Sequence, residues 1–149
     1  MLNLKIILVF CLTFIGLGVF IFIKTRVPEQ VCFRGQCYKV SVAKTEKARA
    51  EGLSGRRKMS EDRGMLFVFD ESGKHRFWMK GMNFPLDIIW LDKDKKIVAM
   101  QENAAPCTAN CATLTPAKDS KYVLEVNAGE IKKINLSIGE TIDFQRGLW

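Results

Sequence analysis

Hydrophobic and polar positions divide the chain into one unbroken apolar stretch and a series of short strand-like segments. Ile6 to Ile23 carries no charge over 18 residues, between Lys5 and Lys24. A helix rising ~1.5 Å per residue just crosses a ~30 Å hydrocarbon layer at this length. The stretch has no polar face, which argues against a buried core helix. A signal-peptide core is shorter and is followed by small residues at a cleavage site. Here Lys24-Thr25-Arg26-Val27-Pro28 follows, and Phe10 precedes Cys11 where a lipoprotein signal needs a small residue. The pattern therefore predicts a retained single-pass anchor over 1–26, with a cleaved signal as the alternative.

Beyond a short linker, Val31–Phe33 and Cys37–Val42 read as a hairpin with Gly35 at its tip. Residues 27–37 thus supply linker and first strand, and 38–149 one β domain. Thr45 is a suitable N-cap for Glu46–Glu51, and Gly52 is a helix stop. Gly64–Phe69, Arg76–Lys80 and Leu86–Leu91 read as strands. Asp92–Lys95 is a turn into a strand over 96–101, and 103–121 reads as irregular. Tyr122–Val126 is a strand, Ala128–Ile134 a short helix, and Leu136–Phe144 a Gly139 turn with a last strand. The expectation is a mainly β domain, α+β at most. It would be a compact β-sandwich or barrel of about eight short strands with one or two short helices, preceded by one transmembrane helix. The apolar runs 65–69 and 86–91, the second broken only by Asp87, predict strands covered on both faces.

Composition narrows the class without naming an activity. Apolar residues make up 48% and charged residues 26%, which suits a folded unit. The net charge is +7, but without Lys5, Lys24 and Arg26 it is only +4, with the basic residues dispersed. This argues against nucleic acid as a partner. The one triplet, Arg56-Arg57-Lys58, reads as a solvated turn or as support near anionic lipid. Cations around the apolar run mildly favour a cytoplasmic C-side. The cysteines point the other way. Cys32, Cys37, Cys107 and Cys111 form two close pairs, as expected of disulfides in an oxidising compartment. Local pairing is one of three connectivities, and a four-thiolate zinc site is the rival reading. The expectation is a monomer at the cell membrane, with its domain outside the cytoplasm. Its partners would be the membrane, through residues 6–23, and an envelope ligand or protein. Export after cleavage is the alternative.

The densest chemistry lies in Phe77-Trp78-Met79-Lys80-Gly81-Met82-Asn83-Phe84-Pro85-Leu86-Asp87. Loops are ordinarily polar and small, so this one must bury its side chains or hold something with them. Trp78, Met79, Lys80 and Asp87, with Arg49 or Arg56 nearby, are the candidate cleft. Lys80 and Asp87 as a buried pair would clamp the loop. A lysine among aromatics could instead act as an acid or base. Arg49 and Arg56 could bond loop carbonyls or an anionic group. Glu125 alternates with apolar neighbours and faces either a polar cleft or water. Met79 and Met82 raise Cu(I) as an alternative, against the role of core filler. His75 is the only histidine and reads as an exposed turn residue, so no Ser-His-Asp or Cys-His arrangement exists. No cofactor or resident metal is expected, and an enzyme is the less favoured reading.

Several motifs occur in order: Arg49-Ala-Glu-Gly52-Leu53-Ser-Gly-Arg56, Gly64-Met65-Leu66-Phe67-Val-Phe69, Phe77-Trp78-Met79-Lys80, Pro85-Leu86-Asp87, Ala105-Pro106-Cys107 and Tyr122-Val-Leu124-Glu125-Val-Asn-Ala128-Gly129. A late Gly139-Glu140 follows them. Over roughly 38–144 the chain resembles the family called domain of unknown function 192. The resemblance implies a small, mainly β domain, often behind a signal or anchor, and no catalytic residues. Gly81-Met82 stands where that family often has Asn-Thr.

Overall fold

β1 (Gln30–Phe33) and β2 (Gln36–Ala43) form the hairpin that the sequence predicts. Arg34 and Gly35 both have positive φ, the geometry whose twist matches two antiparallel strands. Cys32 and Cys37 face each other across the hairpin and are bonded. The computed structural model describes residues 30–145. The run 6–23 and the anchor expectation lie outside the described residues. Among those residues no helix is long and apolar enough to cross a membrane.

After β2 the chain makes α1 (Glu46–Glu51). The Thr45 side chain accepts the Ala48 N–H, and Gly52 at φ 52 closes the helix. The crossover returns as β3 (Arg63–Gly73), parallel to β2. β4 (Leu86–Leu91), β5 (Ile97–Ala104), β6 (Ser120–Asn127), α2 (Glu130–Lys133) and β7 (Asp143–Gln145) complete the order. All seven strands belong to one sheet, ordered β5-β4-β6-β3-β2-β1-β7. Of the sandwich and the barrel that the sequence left open, the domain is nearer the second: mainly β, with seven strands in one curled sheet, a half-barrel, and two short helices.

The curl follows from the two ends of the sheet. Ile97 N–H donates to the Glu140 carbonyl, Gly139 N–H to Ile97 and Ile142 N–H to Lys95. The segment 139–142 therefore runs along the start of β5 before entering β7 at the opposite edge. Val31, Leu66, Ile89, Leu91, Ile97, Leu124, Val126 and Ile142 share one core on the concave face. Met65, Phe67, Leu86, Ile88, Trp90 and Val123 point the other way into a second core. That outer core is covered by Leu53 after α1 and by Met79 and Met82 of the aromatic loop. Six consecutive residues of β4 are buried, as the apolar run predicts.

Arg76–Lys80 departs from the expectation of a strand. Phe77 exchanges both backbone hydrogen bonds with Leu114, and Lys80 bridges to Cys107. Exposure alternates along it, with Trp78 and Lys80 outward and Met79 buried, which mimics a strand. Its partner segment is shaped by Pro106, Pro116 and the Cys107–Cys111 disulfide, so a continuous ladder does not form.

Asp87 is the polar exception in β4. It is 0% exposed and turned to the concave face. Its carboxylate accepts Asn103 N–H at 2.7 Å and Ile131 N–H at 2.8 Å, tying the end of β5 and the start of α2 to the centre of the sheet. Glu130 in α2 accepts the Tyr38 hydroxyl and Lys133 Nζ. Burial and the Glu130 carboxylate push the Tyr38 phenol up. Replacing Asp87 with alanine leaves two amides without partners in a dry core. Urea unfolding is expected to show a loss of about 3 kcal/mol or more for Asp87→Ala. A loss below about 0.5 kcal/mol would mean that this tie carries no weight.

Candidate functional site

The site grows from the alternation in β6. Val123 packs outward, Leu124 and Val126 pack inward, and Glu125 must therefore face outward, opposite Met65 on β3 and Ile88 on β4. Gly64 lets the strands close here, because a Cβ on it would stand 2.8 Å from the Glu125 carbonyl oxygen. The Glu125 side chain lies in the apolar outer layer. It is 5% exposed, its carboxyl opens onto the cleft above it, and burial is the one influence on its ionisation, with no hydrogen bond from a described group.

Above it the outer layer is incomplete. A cleft of about 290 Å³ opens between α1 with its following turn and the segment Arg76–Trp78. Phe67, Phe69, Met82 and Glu125 line its depth; Glu46, Arg49, Glu51, Ser54, Phe77 and Trp78 line its walls. One end is stitched shut. Gly55 N–H donates to the Gly81 carbonyl, Ser54 Oγ to the Lys80 carbonyl and Asn83 Nδ2 to the Arg56 carbonyl. Gly81 has φ 73, a conformation that asparagine also tolerates, so glycine here keeps the turn shape the resemblance implies.

Burial without a partner disfavours the charged form of Glu125 and pushes its pKa up to about 8. Arg49 does not neutralise it. Its Nη1 donates to the carbonyls of Lys44 and Val68, and its guanidinium sits 5.1 Å over the Phe69 ring. The other face of that wall is set by His75, which stacks on Phe69 at 3.5 Å. His75 is thus half-buried packing rather than an exposed turn residue.

Of the residues expected at a cleft, three meet: Trp78, Arg49 and Glu125. Trp78 is 60% exposed and forms the outer lip. Met79 lies beneath the loop and lines a separate depression beside Cys107 and Leu114. Lys80 is exposed, Arg56 is exposed outside the cleft, and Asp87 is on the opposite face of the sheet. The Lys80–Asp87 pair is therefore not formed, either as a clamp or as an acid–base pair. Met82 lines the cleft but packs with Met79 in the outer core, the filler role for both thioethers. Cys107 and Cys111 are bonded like Cys32 and Cys37, so the four sulfurs do not form a zinc site. Phe67, Phe69, Phe77 and Arg76 were not among the residues expected to line the cleft. Phe67 and Phe69 follow Met65 at alternate positions, but only the register of β3 against β6 puts them beside Glu125.

The comparisons agree with this architecture. The family model DUF192, described as an uncharacterized ACR, matches residues 29–144. The chain is similar to a crystal structure of a protein of unknown function from Novosphingobium aromaticivorans, at 28% identity and TM-score 0.71, covering 79% of this chain and 84% of that one. It is also similar to a protein from Sinorhizobium meliloti described provisionally as a transcription regulator. That likeness has 33% identity and TM-score 0.71, with 79% and 94% of the two chains covered. No curated protein matches the chain.

Glu125 couples stability to pH. Its folded pKa is raised above the unfolded value, so the folded state holds a proton that the unfolded state releases. The resulting stability is fully present below about pH 4.5 and is lost as pH rises to about 8. One proton gives a slope of no more than ~1.4 kcal/mol per pH unit. The Glu125→Gln variant is expected to lack this decline and to exceed the wild type in stability at pH 8 by a few kcal/mol. Parallel urea midpoints for both proteins across pH 5–8 would contradict the burial of this carboxyl.

Proposed function

The chain belongs to the DUF192 family, and on that premise we propose that it is a small-ligand-binding module held at the outer face of a membrane by residues 6–23. One observation carries the binding role: a carboxyl at the bottom of an open cleft is largely withdrawn from water and takes no hydrogen bond from the described residues. Its oxygens face the cleft, where a bound species would supply the donor or the charge that the protein does not. The exposed Trp78 ring beside it supports the same reading, because a large aromatic at a cleft lip gains contact area when covered.

The compartment rests on two features of the sequence and one of the fold. Residues 6–23 suit a single span, and an even set of cysteines accompanies them. Both pairs are bonded locally, an arrangement that persists outside the reducing cytoplasm. The bound species would be an envelope component, and the domain would work as a monomer. Among the described residues no second titratable group is hydrogen-bonded to Glu125, and binding rather than turnover is the function proposed.

Two measurements test this. Alkaline phosphatase fused after Trp149 is expected to be active in intact cells, and an inactive, cytoplasmic fusion would overturn the orientation. In the full chain, small soluble probes are expected to shift NMR signals of Glu125, Phe77 and Trp78 together. Probes that shift signals only elsewhere would sink the cleft as the binding site.

A further inference from the structure

The geometry points to an organic ammonium ion, a primary amine on a short apolar body, as the species that the cleft takes against Glu125; this rests on reading the cleft as a binding site. Three classes of ligand can be compared on the lining. An anion would meet three carboxyl groups, those of Glu46, Glu51 and Glu125. A neutral alcohol would gain one hydrogen bond from Glu125 and nothing from the charges. An ammonium ion gains from the carboxylate and enters a cleft lined by the aromatic side chains of Phe77 and Trp78, residues of the kind that attract cations. It also supplies the counter-charge that a desolvated carboxylate lacks.

The charged groups facing Glu125 leave room for this. Glu46, Arg49 and Glu51 come from α1, and Arg76 comes from the opposite wall. The strands on either side contribute only Met65 and Ile88. Arg49 is held by two carbonyls and the Phe69 ring, and Phe69 has His75 stacked on it. Arg76 is exposed at the mouth. Among the described residues, therefore, no cation is paired with the Glu125 carboxyl. A volume of about 290 Å³ is at the small end of ligand pockets and suits a body of phenethyl size.

Binding an ammonium ion requires Glu125 to ionise, so the proton that its carboxyl holds at neutral pH is released to solvent. With a free-state pKa of about 8, binding at pH 7 releases about 0.9 proton per ligand. Affinity for the amine accordingly rises from pH 6 to pH 8, while the amine itself stays protonated.

The test uses the full chain in non-ionic detergent and calorimetry with three probes of one shape: 2-phenylethylamine, 2-phenylethanol and 3-phenylpropionate. Heats measured in buffers of different ionisation enthalpy report the proton. The amine is expected to bind at least about tenfold more tightly than the alcohol, with proton release, and the carboxylate most weakly. Glu125→Gln is expected to lose about tenfold or more for the amine, with no proton released, and to lose less than that for the alcohol, so that the preference for the amine disappears. Should that variant not fold, the probe order and the proton release of the wild type decide alone. If the alcohol or the carboxylate binds as tightly as the amine, or no proton is released, the ammonium inference is overturned and the cleft remains a binding site. If none of the three disturbs calorimetry or Trp78 fluorescence, both readings fall.

Discussion

The central strands β3, β4 and β6 are covered on both faces, and this double coverage governs everything else in the domain. Neighbouring residues of these strands enter different cores, because side chains alternate across a sheet. A polar residue in such a strand has no solvent face to turn to. It must find a partner inside the protein or open onto a gap in the covering layer. Asp87 and Glu125 are the two carboxyl groups placed under this constraint, on adjacent strands and opposite faces. Asp87 takes the first solution, with two backbone amides that lock α2 and the end of β5 onto the concave core. Glu125 takes the second.

The contrast separates structure from candidate function without recourse to any motif. A carboxyl with two short amide hydrogen bonds has its partners inside the protein and contributes to the fold. A carboxyl with apolar walls and no donor is a cost to the fold, held in place because the surrounding strands are stable enough to bear it. The covering layer is built from irregular segments, α1 with its turn and the loop through Trp78, tied to each other at one end and open at the other. An incomplete roof over a carboxyl that takes no hydrogen bond from the described residues is the feature on which the proposed binding role rests.

Much of this was legible in the chain. The hairpin at Gly35, the Thr45 cap, the Gly52 stop and the buried run 86–91 all depend on neighbours a few residues apart, whereas the sequence left three cysteine connectivities open and the fold selects the local one. The Trp78 loop was recognisable as unusual because its composition contradicts loop chemistry. Arg76–Lys80 misled because its in–out alternation arises from lying over an apolar floor, not from pairing in a sheet. Lys80 and Asp87 were joined in the reading because they flank one loop. The sheet lies between them, since Leu86 and Asp87 point to opposite faces and Asp87 takes the inner one.

By itself the sequence determined what local and compositional forces control: a mainly β domain, a candidate span at residues 6–23, cysteines suited to an oxidising compartment and an aromatic loop worth attention. Which carboxyl is satisfied and which is not was decided only by the tertiary structure. Glu125 and Asp87 occupy similar apolar runs, and nothing in their sequence neighbours distinguishes them. Their roles depend on strand register and on which distant backbone groups reach each face: Asn103 and Ile131 reach Asp87, while over Glu125 the roof stops short. Register sets the face and long-range packing sets the partners, and both come from contacts between residues far apart in the chain.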